Sequence, residues 1–370
     1  MKQLSPFLMA FFVLLLFIVL PLDAENLKPF VMPSARASGF GGIHAAQGDD
    51  FSAIFSNPAS FTGISRQFSA SELTISIYGP VIEMLDMGLN RSGDISSLVD
   101  SVDFAVGFDI GGPVAIGVVS DGFGIGFFNR TAADVVTVLN SLEYYFVSRA
   151  WEEVLLVAGY SFRVLDRSSH SFDIGFLGKG FYRMLVDLNA ETGDLGTMVD
   201  DALESHFGVG IDLGIKYCFD NTFTLALVGY DAFSPALVTK YEQFTDYGSG
   251  GTLSYGNVKP RLALGVLYNL KIEFLERYFS DFMLMADCRD FIDLFIKDRH
   301  PLLNFSLGME ITLLKALKLR AGLADFLPSG GFGIDMKYMK LDVAVRGKQL
   351  GTAPGEKTVF AFDVGCLFRY

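Results

Sequence analysis

From about residue 70 to the last residue, apolar and polar side chains alternate with period two, segment after segment. In "HFGVGIDLGIKYCF", 206–219, Phe207, Val209, Ile211, Leu213, Ile215 and Tyr217 share one face, opposite Gly208, Gly210, Asp212, Gly214 and Lys216. Successive side chains of an extended strand point to opposite faces, so such a strand has one greasy side and one side of charge and glycine. Near 302–313, Leu303, Phe305, Leu307, Met309 and Ile311 oppose Asn304, Ser306, Gly308 and Glu310. The same pattern runs near 260–270, 315–324 and 331–339, and through the last stretch to Tyr370.

Soluble sandwiches also alternate, and three features decide between the two. The segments often reach ten or more residues, long for a sandwich and right for tilted membrane strands. Both charge signs recur on the polar face, as in a watery lumen. The chain ends on an aromatic residue inside an alternating strand, as outer-membrane barrels commonly do. Composition agrees: 51% hydrophobic, 14% aromatic and 19% charged is greasy for a soluble protein. Yet past the leader no apolar run approaches the roughly 20 residues of a transmembrane helix. The fold class expected is all-β, a transmembrane antiparallel barrel. Its parity points Cys218 inward and Cys288 outward, so the two do not pair.

The N-terminus, "MKQLSPFLMAFFVLLLFIVLPLDAEN", places Lys2 before an apolar core from Phe7 to Leu22. It reads as a secretory signal peptide over 1–24, cleaved after Ala24. The net charge of −13 and the lack of a basic cluster argue against a nucleic-acid partner. Three widely spaced cysteines and four histidines show no metal-ligand spacing and no disulfide framework. Asp49-Asp50, Glu152-Glu153 and Asp200-Asp201 are adjacent, so in extended chain they point to opposite faces rather than forming an acid/base pair. No enzyme, cofactor or metal site is expected.

Strands are predicted near 70–79, 102–111, 113–130, 152–164, 171–182, 206–218, 222–232, 258–270, 281–291, 301–313, 315–324, 331–339, 341–348 and 358–370, fourteen in all. Connections 80–101, 131–151, 183–205 and 233–257 are long, whereas Gly112, 165–170 and 219–221 are short. Short turns on one side and long loops on the other suit a bacterial barrel with both ends facing the periplasm. In "VAIGVVSDGFGIGFF", 114–128, apolar residues move from even to odd positions across Ser120, Asp121 and Gly122. A kink in the third strand accounts for this. A plain turn also does, at the cost of a fifteenth strand.

Residues 25–68 lack strand alternation but carry Phe40, Ile43, Phe51, Ile54, Phe55 and Phe61, too many apolar groups for a solvated linker. A small plug inside the barrel would bury them. This segment resembles the start of the FadL-type outer-membrane transporters of hydrophobic compounds, including their PorV-type and spirochaete relatives. The likeness rests on Arg36, Ala37, Gly39, Gly41, Gly42, Ala46, Asp49, Asp50, Ala53, Asn57, Pro58 and Ala59, while Ser38, Ile43 and Ser60 depart from the family's usual residues. The resemblance implies a fourteen-strand barrel over 69–370, an N-terminal hatch over 25–68, and a wall opening at a kink in the third strand. It further implies passage of hydrophobic small molecules, such as long-chain fatty acids, across the outer membrane into its lipid. Gly39, Gly41, Gly42, Asn57, Pro58 and Ala59 would then hold the hatch, and Ser120, Asp121 and Gly122 would shape the exit. Leu142, Tyr144, Tyr145 and Phe146 would greet solute at the mouth, or form the face of an interfacial helix. The PorV-type relatives imply an alternative, a scaffold or shuttle for exported proteins, with a protein partner.

Overall fold

A computed structural model describes residues 25–80, 105–140, 143–191, 198–242, 246–248, 250–270 and 279–370. The leader expected over 1–24 lies outside these residues, as does most of the loop expected over 80–101. The strands are β1 (Glu25–Leu27), β2 (Gln67–Tyr78), β3 (Ala105–Ser120), β4 (Phe123–Asn140), β5 (Glu143–Arg167), β6 (His170–Glu191), β7 (Met198–Phe219) and β8 (Phe223–Phe233). They continue with β9 (Pro235–Tyr241), β10 (Thr252–Val258), β11 (Arg261–Asn269), β12 (Phe279–Cys288), β13 (Phe305–Leu313), β14 (Leu317–Ala324), β15 (Leu327–Asp335), β16 (Met339–Gln349) and β17 (Thr358–Arg369).

From β2 to β8 each strand pairs antiparallel with the next, and so does each from β11 to β17. β17 pairs with β2, and β8 pairs with β11, which closes the ring. β9 continues β8 past a break at Ser234, and β10 leads into β11 past Lys259-Pro260. Each pair therefore acts as one interrupted wall strand, and the wall is a closed barrel of 14 strands. Closure leaves no sheet edge to be solvated, which is what a strand structure needs to cross hydrocarbon.

The alternation sorts as the sequence predicts. Phe207, Val209 and Ile211 on β7 are exposed while Gly208, Gly210 and Asp212 are buried. On β13, Phe305, Leu307 and Met309 are exposed while Ser306, Gly308 and Glu310 are buried. Phe360, Phe362, Val364 and Phe368 on β17 also face out. So continuous an exposed apolar belt suits lipid, not water.

Several details differ from the sequence reading. Gly112 is no turn: β3 runs through it as one strand to Ser120. Ser120, Asp121 and Gly122 are not a kink but the tight hairpin joining β3 to β4, with Ser120 opposite Phe123. A two-residue hairpin sets its flanking residues on the same face, so the apolar parity flips as it would across a one-residue bulge. The count stays at fourteen because one turn replaces the other. The loop expected over 131–151 is mostly a continuous ladder, from Thr131 opposite Glu152 to Asn140 opposite Glu143. Tyr144, Tyr145 and Phe146 therefore lie in β5, in neither a loop nor a helix, and Leu142 lies outside the described residues. Likewise β6 and β7 extend into 183–205, and β9 and β10 occupy much of 233–257.

The barrel has a turn end, carrying residues 121–122, 168–169 and 314–316 and the C-terminus, and an opposite loop end. β1 pairs parallel with β10 in the loop-end half, where Glu25 meets Lys240 at 3.1 Å. The chain then runs through the barrel and leaves at the turn end into β2. Its middle carries short helices at Ala35–Gly39 and Ala53–Ser56 and a 3-10 turn at Pro58–Phe61. His44, Ala53, Asn57, Ala59 and Phe61 on this segment are 0% exposed. In a strand barrel the partner that buries them is the inner wall.

Candidate functional site: the lumen and its N-terminal segment

Asn57 fixes the tightest part of the segment. Its Oδ1 accepts from Ala59 N at 2.9 Å, capping the 3-10 turn begun by Pro58. Its Nδ2 donates to Ala45 O at 3.1 Å within the segment and to Ile215 O at 3.3 Å on β7. The wall makes room with glycine. A Cβ at Gly175 would lie 2.4 Å from Ala59 N, and one at Gly214 would lie 2.1 Å from Asn57 Oδ1. Across the lumen, a Cβ at Gly308 or Gly322 would strike the Phe40 backbone at 2.4 Å or less. Inward glycines that the alternation assigns to a watery lumen are thus the imprint of the segment they hold.

Gly39 packs against Arg320 and Gly331, and Gly41, at φ 89°, would place a Cβ 2.6 Å from Leu307 O. Gly42 has open space but a φ of 117°, a backbone conformation for which glycine is suited.

Charge clamps the same segment to the wall. The Arg36 guanidinium meets Asp49 at 3.2 Å, Asp50 at 2.7 Å and Glu310 at 3.2 Å. Glu310 also binds Arg320 at 2.6 Å and Lys318 at 3.3 Å, and Lys340 reaches Asp50 at 2.5 Å. Burial works against the ionised form of Asp50, but Lys340 and Arg36 outweigh it and hold the carboxyl well below the usual carboxylate range. Ala45 N and His44 Nδ1 both reach the Asp287 carboxylate, at 2.6 and 2.7 Å. At the turn end, Asp121 accepts from Gly63 N at 2.9 Å and Gly122 N donates to Phe61 O at 3.0 Å. The β3–β4 hairpin therefore anchors the segment's exit.

Between the segment and the wall lies a cavity of about 290 Å3. Phe30, Ile43, Ile54, Phe55, Leu155 and Leu177 give it an apolar lining. Charged groups also line it, and most are neutralised: Lys179 pairs with Asp212 and Asp231, and Arg346 with Asp363. Arg261 differs. Its guanidinium lies over the Tyr230 ring at 5.2 Å, its Nε is buried without a hydrogen-bond partner, and it forms no ion pair among the described residues.

A narrow cleft of about 30 Å3 borders this cavity through Met32, Pro33, Phe55 and their neighbours and reaches Glu72 on β2. There the wall is interrupted. Pairing of β2 with β3 stops after Ser69 opposite Gly117 and resumes at Thr74 opposite Gly111. On its other side β3 passes from Gly111 opposite Arg130 to Ala115 opposite Phe128, so Gly112, Pro113 and Val114 bulge. Side chains take up the freed backbone groups: Ser71 Oγ donates to Pro113 O at 2.8 Å, and Val114 N donates to Asn129 Oδ1 at 3.0 Å. Gly112, at φ 89°, approaches so closely that a Cβ would lie 1.9 Å from Glu72 O.

Arg261, Glu72 and the bulge escape the sequence reading. Pro113 is the available clue, because proline cannot donate to a strand ladder and is confined to edges and bulges.

No protein-family model matches the chain, and no curated protein matches it. Among solved structures it is similar to a FadL homologue of Pseudomonas aeruginosa, at 12% identity and TM-score 0.47, over 93% of this chain and 99% of that one. It is similar to the toluene transporter TbuX of Ralstonia pickettii at 12% identity and TM-score 0.46, over 94% of this chain and 98% of that one. The toluene transporter TodX of Pseudomonas putida follows at 11% identity and TM-score 0.41, over 94% and 99%. Identities and scores at this level carry no inference about cargo, and the closed 14-strand topology stands on the chain's own pairing.

Proposed function

We propose that this chain is an outer-membrane transporter of hydrophobic molecules, with amphipathic acids such as long-chain fatty acids as cargo. The observation that carries the reading is the cavity of about 290 Å3, apolar over much of its lining, with the unpaired Arg261 beside it. An apolar solute gains nothing from a water-filled pore, but it gains from leaving water for such a wall. A carboxylate would supply the partner that Arg261 lacks.

The narrow cleft beyond, about 30 Å3, is too small for an acyl chain, so passage requires the N-terminal segment to shift. The segment then acts as a hatch, held by the Arg36 network and the Asn57 turn. The interruption between β2 and β3 is the natural lateral exit, because the wall there has given up its backbone ladder. On this reading the exit lies in β3 at Gly112 to Val114, away from Ser120, Asp121 and Gly122.

The Arg261→Ala variant tests the reading. Loss of a charge-assisted hydrogen bond of about 1.5–3 kcal/mol lowers fatty-acid binding by roughly tenfold or more. Fatty alcohols of equal length are affected much less. Equal losses for acid and alcohol would show that Arg261 only shapes the cavity. A stable co-purifying protein, with no lipid uptake into liposomes, would favour a scaffold for exported proteins instead.

A further inference from the structure

Glu72 stands where the ladder between β2 and β3 is interrupted, and its backbone carbonyl packs closely against Gly112. Its side chain lines the narrow cleft together with Met32, Pro33 and Phe55 of the plug segment. Among the described residues its carboxylate accepts no hydrogen bond and lies in no ion pair. Nearby cations are already committed, Arg36 to Asp49, Asp50 and Glu310, and Lys340 to Asp50. An acidic side chain without a partner in this cleft, which Arg36 also lines, is a group that the fold alone does not require.

We propose that Glu72 is a charge filter at the lateral gap: it passes uncharged hydrophobic molecules and holds back ionised carboxylates. The inference rests on the transporter reading and sharpens it. Cargo that meets Arg261 as an anion must become neutral before it reaches the gap. That requirement matches the destination, since an isolated carboxylate entering hydrocarbon is strongly disfavoured. Two like charges brought close in a poorly hydrated cleft repel far more than in water. Glu72 thereby separates the two faces of the route, a cation that captures and an anion that rejects. The cargo class that follows is a neutral amphiphile, or an acid that crosses in its protonated form.

The experiment compares laurate with dodecanol, each radiolabelled, taken up by liposomes holding the full chain at a pH where laurate is ionised. The expected result for Glu72→Gln is a laurate-to-dodecanol uptake ratio raised by about tenfold. The Glu72→Asp variant, which keeps the charge, retains the wild-type ratio. If Glu72→Gln leaves the ratio unchanged, whether total uptake holds or falls, Glu72 is not a filter and the inference is overturned. The transporter reading fails separately, and before any substitution is compared, if the wild-type protein takes up neither compound.

Discussion

Replacing Gly175 and Gly214 together by valine unseats the N-terminal segment while leaving the barrel closed. At each position the new Cβ would fall within 2.4 Å of the Asn57 to Ala59 turn, where Asn57 and Ala59 are 0% exposed. Overpacking of this kind costs about 1–3 kcal/mol per site, and the turn is the part of the segment most completely buried. Its hydrogen bond from Asn57 Nδ2 to Ile215 O breaks when the wall pushes it away. The expected readout is ion conductance in planar bilayers, at least roughly tenfold above wild type, since each 1.4 kcal/mol of lost seating is a tenfold change in the open population. The control is Gly180→Val, where nothing lies within 4 Å of the added Cβ, and conductance stays at the wild-type level. Equal conductance in all three proteins would mean that the segment does not rest on these glycines.

The second large effect belongs to Arg36. Methionine at this position keeps much of the stem but leaves Asp49 exposed, Asp50 with Lys340 alone, and Glu310 with Arg320 and Lys318. Removing one partner from a buried ion network costs about 3–5 kcal/mol, and the surviving cations keep the loss near the lower figure. Thermal unfolding in detergent, read by heat-modified mobility on gels, occurs at lower temperature. Protease added at the loop end cuts within 37–61 where it spares wild type. The pH dependence follows from Asp50, whose folded carboxyl titrates below its unfolded value of 3.8. Its stabilising contribution is present in full above that value and is lost as pH falls towards the depressed folded one. Acid therefore loosens the wild-type segment, and Arg36→Met blunts that acid sensitivity because one of the two cations lowering Asp50 is gone. An unchanged acid profile in the variant would place the sensitivity elsewhere.

Much of the barrel is legible in sequence because one period decides it. Phe207 to Ile211 or Phe305 to Met309 cannot slip by one residue without turning every greasy group inward. The strand number also survives, since the hairpin at Asp121-Gly122 replaces the turn expected at Gly112. The two errors have one cause. Parity reports an odd change of phase but not whether the chain turns or bulges there. The bulge at Gly112 to Val114 adds two residues relative to β4, and Phe108 and Val114 both remain outward. An even insertion is silent in the alternation. The inner site is less legible still, because Glu72 and Arg261 occupy ordinary inward positions. What sets them apart is a missing partner, and that is a property of the assembled lumen.

The central claim is that hydrophobic cargo crosses this barrel by displacing its N-terminal segment, and a reversible tether tests it most directly. Thr62 Oγ1 on the segment and Ser161 Oγ on β5 lie 2.6 Å apart, close to the roughly 2.05 Å that sulfurs in their places would need for a disulfide. With Cys218, Cys288 and Cys366 replaced by serine, the Thr62→Cys/Ser161→Cys protein links the segment to β5 on oxidation. Fatty-acid uptake into liposomes should stop in the oxidised protein and return on reduction. Uptake that continues at the reduced rate through a fully cross-linked protein would contradict the account.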